Sequence, residues 1–117
     1  MRDNDLHSRI LAWVRELITS LRELPRDFVT STIVNQLVRS GTSIGANYAE
    51  SQYGSSRRDF ANFVRHALKS ARESEYWLKV ALHTVAKTKD GKILSLDAEL
   101  NQIVRILCTI VLKTNPK

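Results

Sequence analysis

Residues 39–51 read RSGTSIGANYAES, with two glycines, three serines and a threonine set where the flanking periodicity demands a helix. When each residue advances about 100° around a helix axis, Ile33, Leu37, Gly41, Ile44, Gly45 and Tyr48 fall on one apolar sector. The segment therefore continues a second helix. Each glycine costs about 1 kcal/mol relative to alanine in a helix interior. Close approach of a neighbouring backbone is the compensation to expect, because a missing Cβ lets two helix axes come nearer. Beside the apolar sector, Gln36, Ser40, Ser43, Asn47 and Glu50 recur in steps of four, three, four and three. This polar stripe borders the core and needs hydrogen-bonding partners wherever it is buried. It reads as a structural seam that fixes helix or subunit register, with a ligand or nucleic-acid contact, or a plain solvent-facing stripe, as the alternatives. GTSIG is not a phosphate loop, since it lacks the Gly-Lys-Ser/Thr ending and follows no strand.

Upstream, Leu6, Ile10, Trp13, Leu17, Leu21 and Leu24 are spaced by three or four and predict a first helix over about 5–23. Pro25 interrupts the hydrogen-bond ladder and suits the first turn of the second helix, whose positive dipole end Asp27 complements. Downstream, Gly54 reads as the terminator of the second helix, and Ser56 as the N-cap of a third with Asp59 at its third position. Phe60, Phe63, Val64, Ala67, Leu68, Ala71, Leu78, Leu82 and Val85 give that third helix its apolar face. KTKDGK, residues 87–92, is a turn centred on Asp-Gly. Leu96, Leu100, Ile103, Leu107 and Ile110, widened by Val104 and Val111, form the seam of a fourth helix. No stretch alternates with period two. Short connections between long amphipathic helices predict an all-α, antiparallel up-down-up-down four-helix bundle, a single domain over 1–117. A three-helix bundle with the first helix detached is the alternative.

The chain has 117 residues, with 18 Lys and Arg against 12 Asp and Glu, for a net charge of +6. That balance favours solubility and an anionic partner. Cys108 is the single cysteine, so no internal disulfide can form, which fits a reducing cytoplasm. The charged start MRDNDLHSRI lacks the apolar segment of a secretory signal, and no run nears the roughly 18 apolar residues of a spanning helix. A cytoplasmic protein without a membrane partner is expected.

The charge is not evenly spread. Arg58, Arg65, Lys69, Arg72 and Lys79 are spaced seven, four, three and seven apart and lie within a sector of about 80°, with Asn62, Tyr76 and His83 on the same side. At 1.5 Å per residue the row is about 30 Å long. Such a row can track a phosphate backbone, with steep salt dependence, and Tyr76 is placed to stack on a base. The competing reading is an ordinary solvated helix face. Neither zinc-finger spacing nor a sheet-type RNA-binding signature is present.

Catalytic chemistry has little to stand on. His7, His66 and His83 form no HExxH pair, and Cys108 falls beside the apolar seam of the fourth helix. Glu73 and Glu75, two apart on a helix, point in different directions. Glu73 lies near the basic row, and Glu75 lies toward the core edge, where Arg, Ser or Asn groups of the second helix are its expected partners. No catalytic residue, metal ligand or cofactor is assigned, and the protein is not expected to be an enzyme.

QLVRSGTSIGANYAES (36–51) and DFANFVRHALKSARESEYWLKVAL (59–82) together resemble a bacterial four-helix-bundle family encoded in intervening sequences of large-subunit ribosomal RNA genes. Gln36, Arg39, Ser40, Ser43, Asn47, Ala49 and Glu50 carry the resemblance in the second helix. Phe60, Ala67, Lys69, Glu73, Glu75, Trp77 and Leu78 carry it in the third. Tyr48 departs from the pattern, where an aliphatic residue is usual, and the YGSSRRDF connection varies among relatives. The resemblance implies a ring-like homopentamer related to the accessory variability proteins of diversity-generating retroelements, which are basic pentamers that bind nucleic acid and reverse transcriptase. It supplies no catalytic residues. It also implies that the polar stripe sets helix or subunit packing, with Asn47 and Glu50 as hydrogen-bonding members. The resulting expectation is a non-enzymatic, homo-oligomeric bundle that presents basic helix faces to RNA or DNA, as an accessory to a nucleic-acid-processing protein. The alternative is a protein-interaction scaffold without physiological nucleic-acid binding.

Overall fold

The computed structural model describes residues 3–85 and 91–114, which form four helices: α1 (Asp3–Leu21), α2 (Phe28–Ser51), α3 (Arg57–Thr84) and α4 (Lys92–Thr114). Among the described residues there is no strand. Helix α1 packs on α2 and α4, and α3 packs on the same two, so the four close into a ring around one core. Neighbours run antiparallel. Across α1 and α4, Arg9 meets Glu99 while Trp13 meets Leu96; across α2 and α3, Ser40 meets Ser74 while Ser43 meets Ser70. The four-helix bundle is thus the observed architecture, with the first helix packed rather than detached.

Most of the core is the set that the 3.6-residue period marks out, although Phe60, Phe63, Leu68 and Leu82 of α3 and Ile110 and Val111 of α4 are only partly buried. Leu6, Ile10, Trp13, Leu17, Leu21 and Leu24 of the first segment are all buried, as are Leu96, Leu100, Ile103 and Leu107 of α4. Each such side chain contributes about 1.5–3 kcal/mol on burial. Trp13 also has a polar edge to satisfy. Its indole Nε1 donates to the Leu96 carbonyl oxygen at 2.9 Å, which pins α1 to the first turns of α4.

Capping decides where the helices begin. Asp27 is extended and its carboxylate accepts from the Thr30 amide at 2.9 Å, making it the N-cap of α2. Pro25 accordingly lies in the connection, two residues before the cap, and not in the first turn. The Thr30 amide, followed by the Thr30 hydroxyl, also holds the Asp27 carboxyl below its ordinary range. Ser56 caps α3 by accepting from the Asp59 amide at 3.1 Å, as its spacing predicts. Gly54 follows the Gln52 C-cap and has an ordinary negative φ; a Cβ there would come within 3.1 Å of the Phe60 amide, so space at the start of α3 selects the glycine. Of the expected 87–92 turn, 87–90 lie outside the described residues; Gly91 takes φ +95°, a left-handed conformation that glycine adopts without strain.

The glycines of the opening stretch differ from one another. Helix α2 runs through both, and Gly41 is buried. A Cβ on Gly41 would stand 2.5 Å from Leu17 Cδ2 and 3.3 Å from Trp13 Cζ3, so the space is filled by two α1 side chains and not by a neighbouring backbone. A Cβ on Gly45 would meet Ile10 and Val14 at 3.6 and 3.8 Å, ordinary contact distances. Gly45 lines an open hollow of about 230 Å³ between α1 and α2, together with Leu11, Val14 and Ala46.

Candidate nucleic-acid interface

Helix α3 presents its core face through Ala61, Val64, Ala67, Ala71, Ser74, Leu78 and Ala81. The opposite pole is therefore the solvent pole, and it carries the basic row. Arg58, Lys69, Arg72 and Lys79 are exposed, and Arg65 is half-buried with its Nη1 donating to Asn62 Oδ1 at 3.1 Å. Among the described residues the ion pairs are Arg9–Glu99, Arg39–Glu73 and Lys92–Glu23, and none of them uses a cation of the row. Arg72 leans toward α4, where its Nη2 donates to Cys108 Sγ at 3.2 Å. Tyr76 stands in the row with 60% of its surface exposed, and His83 and Asn62 are exposed as well.

The polar stripe of α2 lies on the α3 side. Ser40 Oγ and Ser74 Oγ are 2.8 Å apart in full burial, and Ser70 Oγ donates to Ser43 Oγ at 2.9 Å. Two hydroxyl pairs thus lock one register between the helices, since sliding by a turn would leave buried Ser40 and Ser74 without each other. Asn47 contributes differently from expectation. Its Nδ2 donates to the Ser43 carbonyl at 2.9 Å and to Ser43 Oγ at 3.0 Å, so it buttresses Ser43 from within α2. Gln36 Oε1 accepts from Arg39, also within α2. Glu50 is exposed and lies outside the described bonds that bridge α2 and α3.

The carboxylate that reaches α2 is Glu73, which accepts from Arg39 Nη2. Spacing alone points to Glu75 for this contact, yet two residues turn the helix by about 200° and carry Glu75 to the flank nearer α4. Glu73 also accepts from Trp77 Nε1 at 3.4 Å, and the Trp77 ring meets Tyr76 edge-on with centroids 5.1 Å apart. A chain of contacts thereby runs from Arg39 through Glu73 and Trp77 to Tyr76. Spacing alone gives no such role to Arg39, Glu73 or Trp77, nor to Ser70 and Ser74. The signal for Ser74 is present: it occupies the heptad position between Ala71 and Leu78, where a polar residue facing a polar stripe marks a pair.

On the α1 and α4 side, Arg9 meets Glu99 in a two-pronged pair at 2.5 and 2.9 Å, which raises the Arg9 pKa through the hydrogen bond to Glu99. Cys108 is half-buried against the core. Among the described residues no helix is long and apolar enough to cross a membrane.

Comparison with known proteins agrees with the resemblance read from the sequence. A protein of unknown function from the S23 ribosomal protein family of Bacteroides thetaiotaomicron is 32% identical in sequence and superposes with a TM-score of 0.83, covering 95% of this chain and 98% of that one. No curated protein matches the chain. The family model described as 23S rRNA-intervening sequence protein matches residues 2–109. With its fold, its α2 and α3 motifs and nearly its whole length accounted for by that match, the chain belongs to the 23S rRNA-intervening sequence protein family.

Proposed function

We propose that the protein binds RNA or DNA through the solvent pole of α3, as a non-enzymatic accessory factor in a homo-oligomer. The observation that carries this reading is the row itself: Arg58, Arg65, Lys69, Arg72 and Lys79 lie along about 30 Å of one helix, and none joins an ion pair among the described residues. Cations left without acidic partners keep their counterions, and releasing those counterions to a polyanion drives binding. The row lies on the convex outer side of a single helix, a shape that suits backbone contact more than base-specific readout. The family resemblance supports assembly into a homopentamer and cooperation with a nucleic-acid-processing protein, and the lone Cys108 with the charged N-terminal stretch supports a cytoplasmic location. In a ring the rows of several subunits would act on one polymer and multiply a weak contact.

The test compares two charge-matched variants. Lys69→Glu, Arg72→Glu and Lys79→Glu together change the net charge from +6 to 0, three substitutions of two units each. Arg15→Glu, Arg22→Glu and Arg26→Glu produce the same change at exposed positions away from the row. Fluorescence anisotropy with a labelled RNA should show loss of binding for the first variant and much smaller weakening for the second. Equal weakening by both would remove the row from the mechanism. Light scattering on the unmodified protein should give a mass near five subunits that rises with RNA and falls back as salt increases.

A further inference from the structure

We infer that the α3 surface is built for single-stranded nucleic acid, with Tyr76 as a base-stacking platform held in place by Trp77. The inference rests on the nucleic-acid reading above and specifies its ligand. The row follows a single helix axis within one narrow sector, because α3 runs without a break from Arg57 to Thr84. One turn of a duplex spans about 34–36 Å, so over the length of the row each duplex strand winds nearly once around its axis. A row of cations along one helix axis then meets only a few phosphates of a rigid duplex. A flexible single strand can lie along all five cations.

An aromatic ring lies within the row. Tyr76 is 60% exposed, one turn from Arg72 and three residues from Lys79. An exposed aromatic ring between cations is the combination that single-strand sites use, because every base has a stacking face while duplex bases are already stacked. The ring is also not free to collapse. Trp77 meets it edge-on with centroids 5.1 Å apart and an interplanar angle of 75°. Trp77 itself is half-buried, and its Nε1 donates to Glu73, which is paired with Arg39 of α2. Trp77 and Glu73 are therefore positioning residues that act through Tyr76. Arg105 of α4, exposed and one turn before Cys108, adds a cation on the side toward which Arg72 leans.

The experiment measures affinity for labelled oligonucleotides of about 15 nucleotides, as single strands of RNA and DNA and as the matching duplex, at two salt concentrations. The single strand should bind more tightly than the duplex, with a logarithmic salt slope near −3.5 if five phosphates are engaged. Tyr76→Leu should reduce single-strand affinity on the order of tenfold and leave duplex affinity unchanged. Tyr76→Phe should retain the single-strand affinity. A strand carrying 2-aminopurine should be quenched on binding, and the quenching should disappear with Tyr76→Leu. Because the ring is exposed, circular dichroism of both variants should match the parent. Equal binding of duplex and single strand with no effect of Tyr76→Leu would overturn this inference while leaving the nucleic-acid reading in place. Failure to bind either form would overturn both.

Discussion

Gly41 and Gly45 lie one helical turn apart on α2, yet alanine should have opposite effects at the two positions. In a helix interior, glycine to alanine gains about 1 kcal/mol from backbone entropy alone. At Gly45 the new Cβ finds Ile10 and Val14 at 3.6 and 3.8 Å, so nothing opposes the gain. Gly45→Ala should stabilise the protein by about 0.5–1 kcal/mol. At Gly41 the new Cβ would stand 2.5 Å from Leu17 Cδ2, and Leu17 is wholly buried, so its side chain must be displaced by about 1 Å inside a close-packed core. Overpacking of that kind costs about 1–3 kcal/mol. Offset by the entropic gain, Gly41→Ala should be destabilising by up to about 2 kcal/mol. Urea unfolding followed by circular dichroism, at one fixed protomer concentration, separates the two, because assembly would otherwise shift the midpoints. A double-mutant cycle with Leu17→Val sharpens the test: shortening the clashing side chain should relieve about 1 kcal/mol of the Gly41→Ala penalty. Two substitutions of the same sign and size, or a cycle without coupling, would refute the assignment of Gly41 to the Leu17 contact.

The seam should respond to single and double removal differently. Ser40→Ala strands a buried Ser74 hydroxyl and should cost about 1–2 kcal/mol in unfolding free energy, while Ser40→Ala with Ser74→Ala should cost less than the sum of the two single changes. The Arg9–Glu99 pair keeps 31% and 35% of its side-chain surface in solvent, so Glu99→Gln should lower stability by no more than about 1 kcal/mol, an effect that shrinks when the denaturation is repeated in high salt. The Asp27 cap predicts an acid limb. Because the folded carboxyl is held below its unfolded value by Thr30, its contribution is present above the unfolded pKa and disappears as pH falls through the folded one. Asp27→Asn keeps a capping oxygen without the titration, so thermal melts from pH 6 downward should show a shallower decline for that variant.

What was legible in the sequence was whatever depends on position around a single helix axis. The sector of Leu6, Ile10, Trp13 and Leu17 is fixed by spacing, and spacing survives folding, so the core residues and the α3 charge row could be read directly. Which helix lies against a given flank cannot be read in this way. Ser40 and Ser74 are separated by 34 residues, and only the order of helices around the bundle makes them partners. The same missing information exchanged the roles of Glu73 and Glu75, since one side of α3 faces α2 and the other faces α4. Gly41 shows the limit at finer scale: glycine on a packing face announces a close contact, but whether backbone or the tip of a leucine fills the space depends on atoms of another helix. Pro25 stands three residues short of the first helical position, Phe28, because proline before a cap and proline after it have the same local preference for φ near −65°.

The placement of charge bears on whether the α3 row serves stability or something else. Arg65, Lys69 and Arg72 are neighbours at four and three residues, and like charges at such spacings destabilise a helix by about 0.2–0.5 kcal/mol per pair. Ion pairing elsewhere in the molecule shows that acids are available to neutralise cations: Glu99 takes Arg9, Glu73 takes Arg39 and Glu23 takes Lys92. Among the described residues those pairs lie off the row, which therefore bears a repulsion that no described ion pair relieves. The cost is small beside the burial of 22 core side chains, so folding tolerates it without requiring it. A polyanion laid along α3 would relieve the repulsion, so the same interaction that destabilises the free helix would strengthen the complex. This makes the coupling measurable from the protein side: a bound single strand should raise the unfolding midpoint at low salt, and the Lys69→Glu, Arg72→Glu, Lys79→Glu variant should show no such rise, whereas a rise in that variant would place the anion on another surface.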